Sequence, residues 1–250
     1  MLIPIPSNKQ RFTIAILIKV DWAMSIGIKV YDPFVPNTHY FRRKAFLEDG
    51  QKRKIYISLP VTPEELEIDI YDKKTGGDQG IEIIDFNVIK MAAPQFWATP
   101  EQERFMDFAI QFAQKAGYVP PGFYDSPKEE FLFQYLPTIT NEHGKELITP
   151  ARTHRQMPRV QISQRMFKTF SIPIRVVILA HEGCHWFLNT RSQKTADLCG
   201  IRQYLDYGFP KIEAVYAATK IFNRYPEFVG ASQVQRTKDI IQFIDQYTAA

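Results

Sequence analysis

The segment His181-Glu182-Gly183-Cys184-His185 constrains this chain more than any other, because it sets three polar side chains into a helix that begins as an apolar one. Val176 to Ala180 run into His181 without a polar residue, and Ser171 stands ahead as a cap with Pro173 in the first turn. The spacing predicts a buried helix from Ser171 to about Asn189, where polar groups without partners are costly. Two histidines four residues apart lie one turn apart on one helix face, so both imidazoles can reach one ion. A glutamate directly after the first histidine is turned aside and flanks the ion without binding it. Catalytic zinc takes three protein ligands and leaves one position open for water. A carboxylate beside that water accepts its proton as it attacks a carbonyl carbon. His181 and His185 therefore read as Zn2+ ligands and Glu182 as the general base.

The third ligand must come from elsewhere. A histidine six residues past His185 would mark the metzincin pattern, but Arg191 stands there and Leu188 replaces the expected glycine. That leaves a carboxylate on the next helix, which runs from about Ser192 to Tyr207 and is stopped by Gly208 and Pro210. Asp197 is the expected ligand, with Asp206 as the fallback. Gln193, four residues before Asp197, is a poor zinc ligand. The other role open to Asp197 is to hold a histidine ring in place.

The first ninety or so residues read differently. Phe12, Ile14, Ile16, Ile18 and Val20 alternate with other residues, as do Ile55, Ile57 and Leu59, and Leu66, Ile68 and Ile70. The run from Ile81 to Val88 changes phase at Ile83–Ile84, as a β-bulge would. Lys73 to Gly80 is a turn cluster expected to join the last two strands as a hairpin. Five to seven such strands predict a small β-sandwich over 1–95, read as a binding or scaffolding module. Thr99-Pro100-Glu101-Gln102 then opens an amphipathic helix ending at Gly117. Strands are expected at Phe131 to Leu136 and Val160 to Ser163, and further helices at Lys211 to Asn223 and Ser232 to Tyr247.

Composition excludes several classes. Net charge is +4, but the basic runs Phe41 to Lys44 and Lys52 to Lys54 fall in or beside strands and read as solvated faces. Basic and aromatic residues do not interleave on any one element, so no nucleic-acid partner is expected. The longest apolar stretch near the start, Ile14 to Val20, is broken by Lys19 and is too short to span a membrane. No secretion signal is visible, and a cytoplasmic location is expected. The two cysteines, Cys184 and Cys199, exclude a disulfide scaffold, and Cys184 reads as a buried free thiol.

From Ile178 to Tyr216 the sequence resembles a zincin metallopeptidase of the gluzincin-like kind. It is similar in particular to HExxH proteins encoded by crAss-like tailed phages of gut Bacteroidetes, with Thr195-Ala196-Asp197 and Gly208-Phe209-Pro210 at the positions of their EAD triplet and GYP turn. The resemblance implies an α+β chain: the small β-sandwich, then a mainly helical zincin-like domain with a short edge-stranded sheet over 96–250. Val160 to Ser163 and the preceding Thr149 to Arg152 would lie beside a protein or peptide substrate, and the helix from Thr99 would back the site. Tyr204, Tyr207 or His154 would steady the oxyanion. The resemblance also implies an alternative, a virion component that keeps the fold and contacts other virion proteins through the β-sandwich.

Overall fold

A computed structural model describes residues 1–94, 96, 98–154, 156–216 and 230–247. The chain divides into two compact units, Met1–Ala93 and Pro94–Ala250. It is mixed α/β, and among the described residues no helix is long and apolar enough to cross a membrane.

The first unit is built of antiparallel strands whose alternate residues are buried. One sheet has the order β1-β6-β3-β4, from β1 (Leu2–Pro6), β3 (Met24–Tyr31), β4 (His39–Leu47) and β6 (Glu65–Asp72). The other has the order β5-β2-β7, from β2 (Phe12–Val20), β5 (Lys52–Leu59) and β7 (Ile81–Lys90). Ile14, Ile16, Ile18, Ile26, Ile28, Ile68 and Ile70 are the fully buried side chains that the alternation requires. The phase change in β7 is a register shift: Leu17 faces Asp85 and Ile18 faces Ile83, so Ile84 is the extra residue. The expected hairpin over Lys73 to Gly80 does not form. Both edges of β6 are occupied, by β1 and β3, so β7 joins the other sheet and pairs with β2. Lys52, Arg53 and Lys54 are exposed, as the solvated-face reading requires.

The second unit sets helices against a mixed sheet. Helix α1 (Pro100–Lys115) carries the capping box at Thr99 and Gln102. The sheet has the order β10-β11-β9-β8, from β8 (Gly122–Asp125), β9 (Leu132–Leu136), β10 (Ala151–Thr153) and β11 (Arg159–Ser163), with β9 and β11 parallel. Phe105, Phe108 and Phe112 of α1 pack on Phe133, and Phe112 also on Tyr135, giving an aromatic core between helix and sheet. A short turn of helix, α2 (Gln164–Phe167), leads to α3 (Ile172–Phe187), α4 (Gln193–Asp206) and α5 (Ala231–Gln246). Ser171 stands at the N-cap of α3, but its side chain makes no capping bond. Residues 211–216 are helical, and the remainder of the helix expected at Lys211 to Asn223 lies outside the described residues.

Candidate metal centre

Helix α3 is buried from Ile172 through Ala180, so its polar end is delivered into the interior as the sequence demanded. Two glycines set how closely its neighbours approach. A Cβ at Gly183 would stand 2.3 Å from the Phe105 ring of α1. One at Gly200 would stand 2.7 Å from the backbone nitrogen of His181. Helix α4 thus rests directly on the backbone of the first histidine, which fixes where Gln193 and Asp197 fall relative to the motif.

His181 Nδ1 lies 2.9 Å from Asp197 Oδ1, and His185 Nδ1 lies 2.8 Å from the Thr190 carbonyl oxygen. Neither partner can donate, so each Nδ1 carries a proton, and a neutral ring then keeps its lone pair on Nε2. The two Nε2 atoms face each other at 3.1 Å. Two lone pairs at that distance repel unless a proton or a metal ion lies between them. Two imidazole nitrogens bound to one tetrahedral zinc, each at about 2.0–2.1 Å, stand about 3.3 Å apart. The pair therefore fits a zinc ion in both protonation and spacing.

Asp197 sits behind this pair. Its carboxylate takes Arg236 Nε at 2.7 Å and Nη2 at 2.8 Å in addition to His181. Burial pushes its carboxyl up, but hydrogen bonds and charge from Arg236 and His181 outweigh burial and hold it below the usual carboxylate value. Asp197 is thus on the His181 nitrogen turned away from His185. That is the geometry of the ring-holding role weighed for it. Beside the pair instead is Gln193, its Nε2 3.3 Å from His185 Nε2. A half-turn of that amide exchanges nitrogen for oxygen and presents Oε1 to the same place. Among the described residues, no group of three or more His, Cys, Asp or Glu side chains is placed to share an ion.

Glu182 is 8% exposed and is fixed by the sheet edge. Its Oε2 accepts from the Thr153 backbone N–H at 2.7 Å, and the Thr153 hydroxyl lies 2.7 Å from both Oε2 and the Glu182 carbonyl oxygen. Oε1 is left for other work. His181, Glu182, His185, Gln193 and β10 all line one cavity of about 1140 Å³.

The remaining candidates scatter. His154 lines the same cavity, with Nδ1 accepting from the Gln156 N–H. Tyr204 is fully buried, stacks on Phe209 and donates to the Pro210 carbonyl, while Tyr207 stacks on Phe209; neither lines the cavity. Asp206 accepts from the Tyr247 hydroxyl at 2.6 Å and is likewise outside it. Cys184 is not a free thiol: it forms a disulfide with Cys199, tying α3 to α4 at a Cα separation of 6.0 Å. The close approach at Gly200 brings the two cysteines within bridging range, which their spacing in sequence could not reveal. Thr153 and Arg236 went unread, since each acts across 29 or 39 residues of chain with no local pattern to mark it.

The arrangement defines a class of site, a histidine pair with a flanking carboxylate held at a sheet edge. Comparison of the chain with protein families, curated proteins and solved structures finds no match.

Proposed function

We propose that the chain is a zinc-dependent metallopeptidase in which His181 and His185 hold the metal and Glu182 is the general base. The observation that carries this reading is the facing Nε2 pair at 3.1 Å, with both Nδ1 protons committed elsewhere. Gln193, a weak donor for zinc, would supply the third contact through Oε1, because it is the α4 side chain beside the pair. The metal would supply Lewis acidity and a water acidic enough to attack a carbonyl near neutral pH. The chain's own residues do the rest. Asp197 and Arg236 keep the His181 ring oriented. Thr153 holds one oxygen of Glu182, so that the other faces the cavity to accept a proton and return it to the leaving amine. β10 is the outer strand of its sheet, and an extended peptide would lie along it, with the Thr153 N–H already given to Glu182 and the Ala151 carbonyl to the Thr149 hydroxyl.

In the finer reading of the fold, the first unit is a β-sandwich and the second a zincin domain. The alternative, a virion component that keeps the fold and contacts other virion proteins through the β-sandwich, rests on the resemblance to tailed-phage proteins. The Cys184–Cys199 bridge supports work in an oxidising compartment in place of the cytoplasm.

Zinc analysis of the purified full chain, with Glu182→Gln beside wild type, tests the proposal. Wild type should hold one zinc per chain, and Glu182→Gln should keep the metal while losing peptide cleavage about 10²–10⁴-fold. Less than stoichiometric zinc after loading refutes the metal site. Equal cleavage by the variant refutes the base.

A further inference from the structure

Resting on the peptidase reading, we infer that the cleft selects substrates with acidic side chains flanking the bond to be cut. The cavity is lined by Arg152, Arg191 and Arg236 on one side of the charge balance, and by Glu182 and Asp197 on the other. Asp197 is neutralised by the two-pronged bond from Arg236. Glu182 keeps its charge, since its partner Thr153 is neutral, but Arg152 and Arg191 together outnumber it in the cavity lining. The cations are not equally spent. Arg152 has Nε at 3.2 Å and Nη2 at 2.6 Å from Gln161 Oε1, and Gln161 in turn donates to Gln134. That relay holds the guanidinium without cancelling its charge. Arg191 is exposed, follows Thr190 in the turn between α3 and α4, and has no carboxylate partner among the described residues. A bound divalent ion would add to the positive field.

Placement makes the charge specific. Arg152 is the middle residue of β10, and in the register Arg152–Gln161–Gln134 its side chain shares a sheet face with the two glutamines. A strand laid along the edge of β10 turns every second side chain to that face. Arg191 stands six residues after His185 and two before Gln193, beside the proposed metal pair. Arginine in both positions offers a fixed fork for carboxylates, which a solvated lysine would not. An outer strand favours a peptide over a nucleic acid, whose backbone cannot pair with it.

The test uses the full chain carrying Glu182→Gln, loaded with zinc, so that binding is read without cleavage. Two fluorescent peptides of equal length, one with Glu and one with Lys at alternating positions, are titrated beside a single-stranded thymidine oligonucleotide. The Glu peptide should bind at least tenfold tighter than the Lys peptide at low salt, and the ratio should shrink as salt rises. Adding Arg152→Gln and Arg191→Gln together should bring the ratio to within about twofold. Arg191→Gln alone, at a side chain with no ion pair to lose, should remove part of it. Equal binding, no binding of either peptide, a ratio that survives both substitutions, or tighter binding of the oligonucleotide overturns the inference. Cleavage by wild type judges the peptidase reading separately: an acidic peptide bound selectively but never cut sinks that reading and leaves the selectivity standing.

Discussion

The two flanks of the candidate centre hold their catalytic groups by different means. Behind His181 stands a buried ion pair, Asp197 with Arg236, drawn from two helices 39 residues apart. Behind Glu182 stands a neutral residue, Thr153, at the last position of an edge strand. The first flank concerns metal retention, and the second concerns the aim of a base. Because they share no residue, damage to one should be separable from damage to the other.

The most disruptive change is on the charged flank. Arg236→Ala strips a buried carboxylate of a two-pronged partner that is itself part-exposed, and losing a hydrogen-bonded charge partner of this kind costs about 1.5–3 kcal/mol. Denaturant unfolding of the variant should show a loss of that order, with zinc binding weakened alongside. The folded Asp197 carboxyl is held below the ordinary carboxylate value, because hydrogen bonds and charge from Arg236 and His181 outweigh its burial. Its stabilisation is therefore fully present above that value and is lost only as pH falls through the depressed folded value. Wild type should lose this share of its stability in the acid range below about pH 4, and Arg236→Ala should have little of it left to lose. An unchanged acid limb in the variant would remove the ion pair from the account.

Similar in size is the bridge that ties the two metal-bearing helices. Cys184→Ser with Cys199→Ser opens a loop of 15 residues, worth about 3 kcal/mol. Thermal unfolding should fall with the loss, and reductant should lower wild type to match while leaving the variant where it is. Asp197→Asn is milder, since an amide still accepts from His181 but carries no charge. Zinc affinity should drop about 10–100-fold, as for other partners of metal-bound histidines. Affinity equal to wild type would show that the His181 ring needs no carboxylate behind it.

Legibility in the sequence divides along the same lines. Strand alternation, the β7 bulge, the α1 capping box and the two histidines are local patterns, written in spacings of two, three or four residues, and each appears where the spacing puts it. What could not be read is what the tertiary approach of helices decides. Gly200 against His181 brings Cys199 to Cys184 and turns Asp197 to the back of the ring. Nothing in the order of residues distinguishes a carboxylate facing Nε2 from one facing Nδ1. The destination of β7 was hidden likewise, because a turn cluster marks where a strand ends but not whether its neighbour has a vacant edge.

The finest prediction isolates the neutral flank. Thr153→Val removes the hydroxyl beside Glu182 Oε2 but keeps the backbone N–H at 2.7 Å, so the base is loosened and not released. A hydrogen bond to a charged group contributes about 1.5–3 kcal/mol, and with the N–H still in place about half of that bears on aim. The kcat for peptide cleavage should fall about tenfold, with KM and zinc content unchanged. Thr153→Ser, which restores the hydroxyl, should recover most of the rate. Zinc lost together with activity would mean that the edge strand also supports the metal, and the separation between the two flanks would fail. An undiminished kcat would mean that the backbone bond alone sets the direction of Glu182.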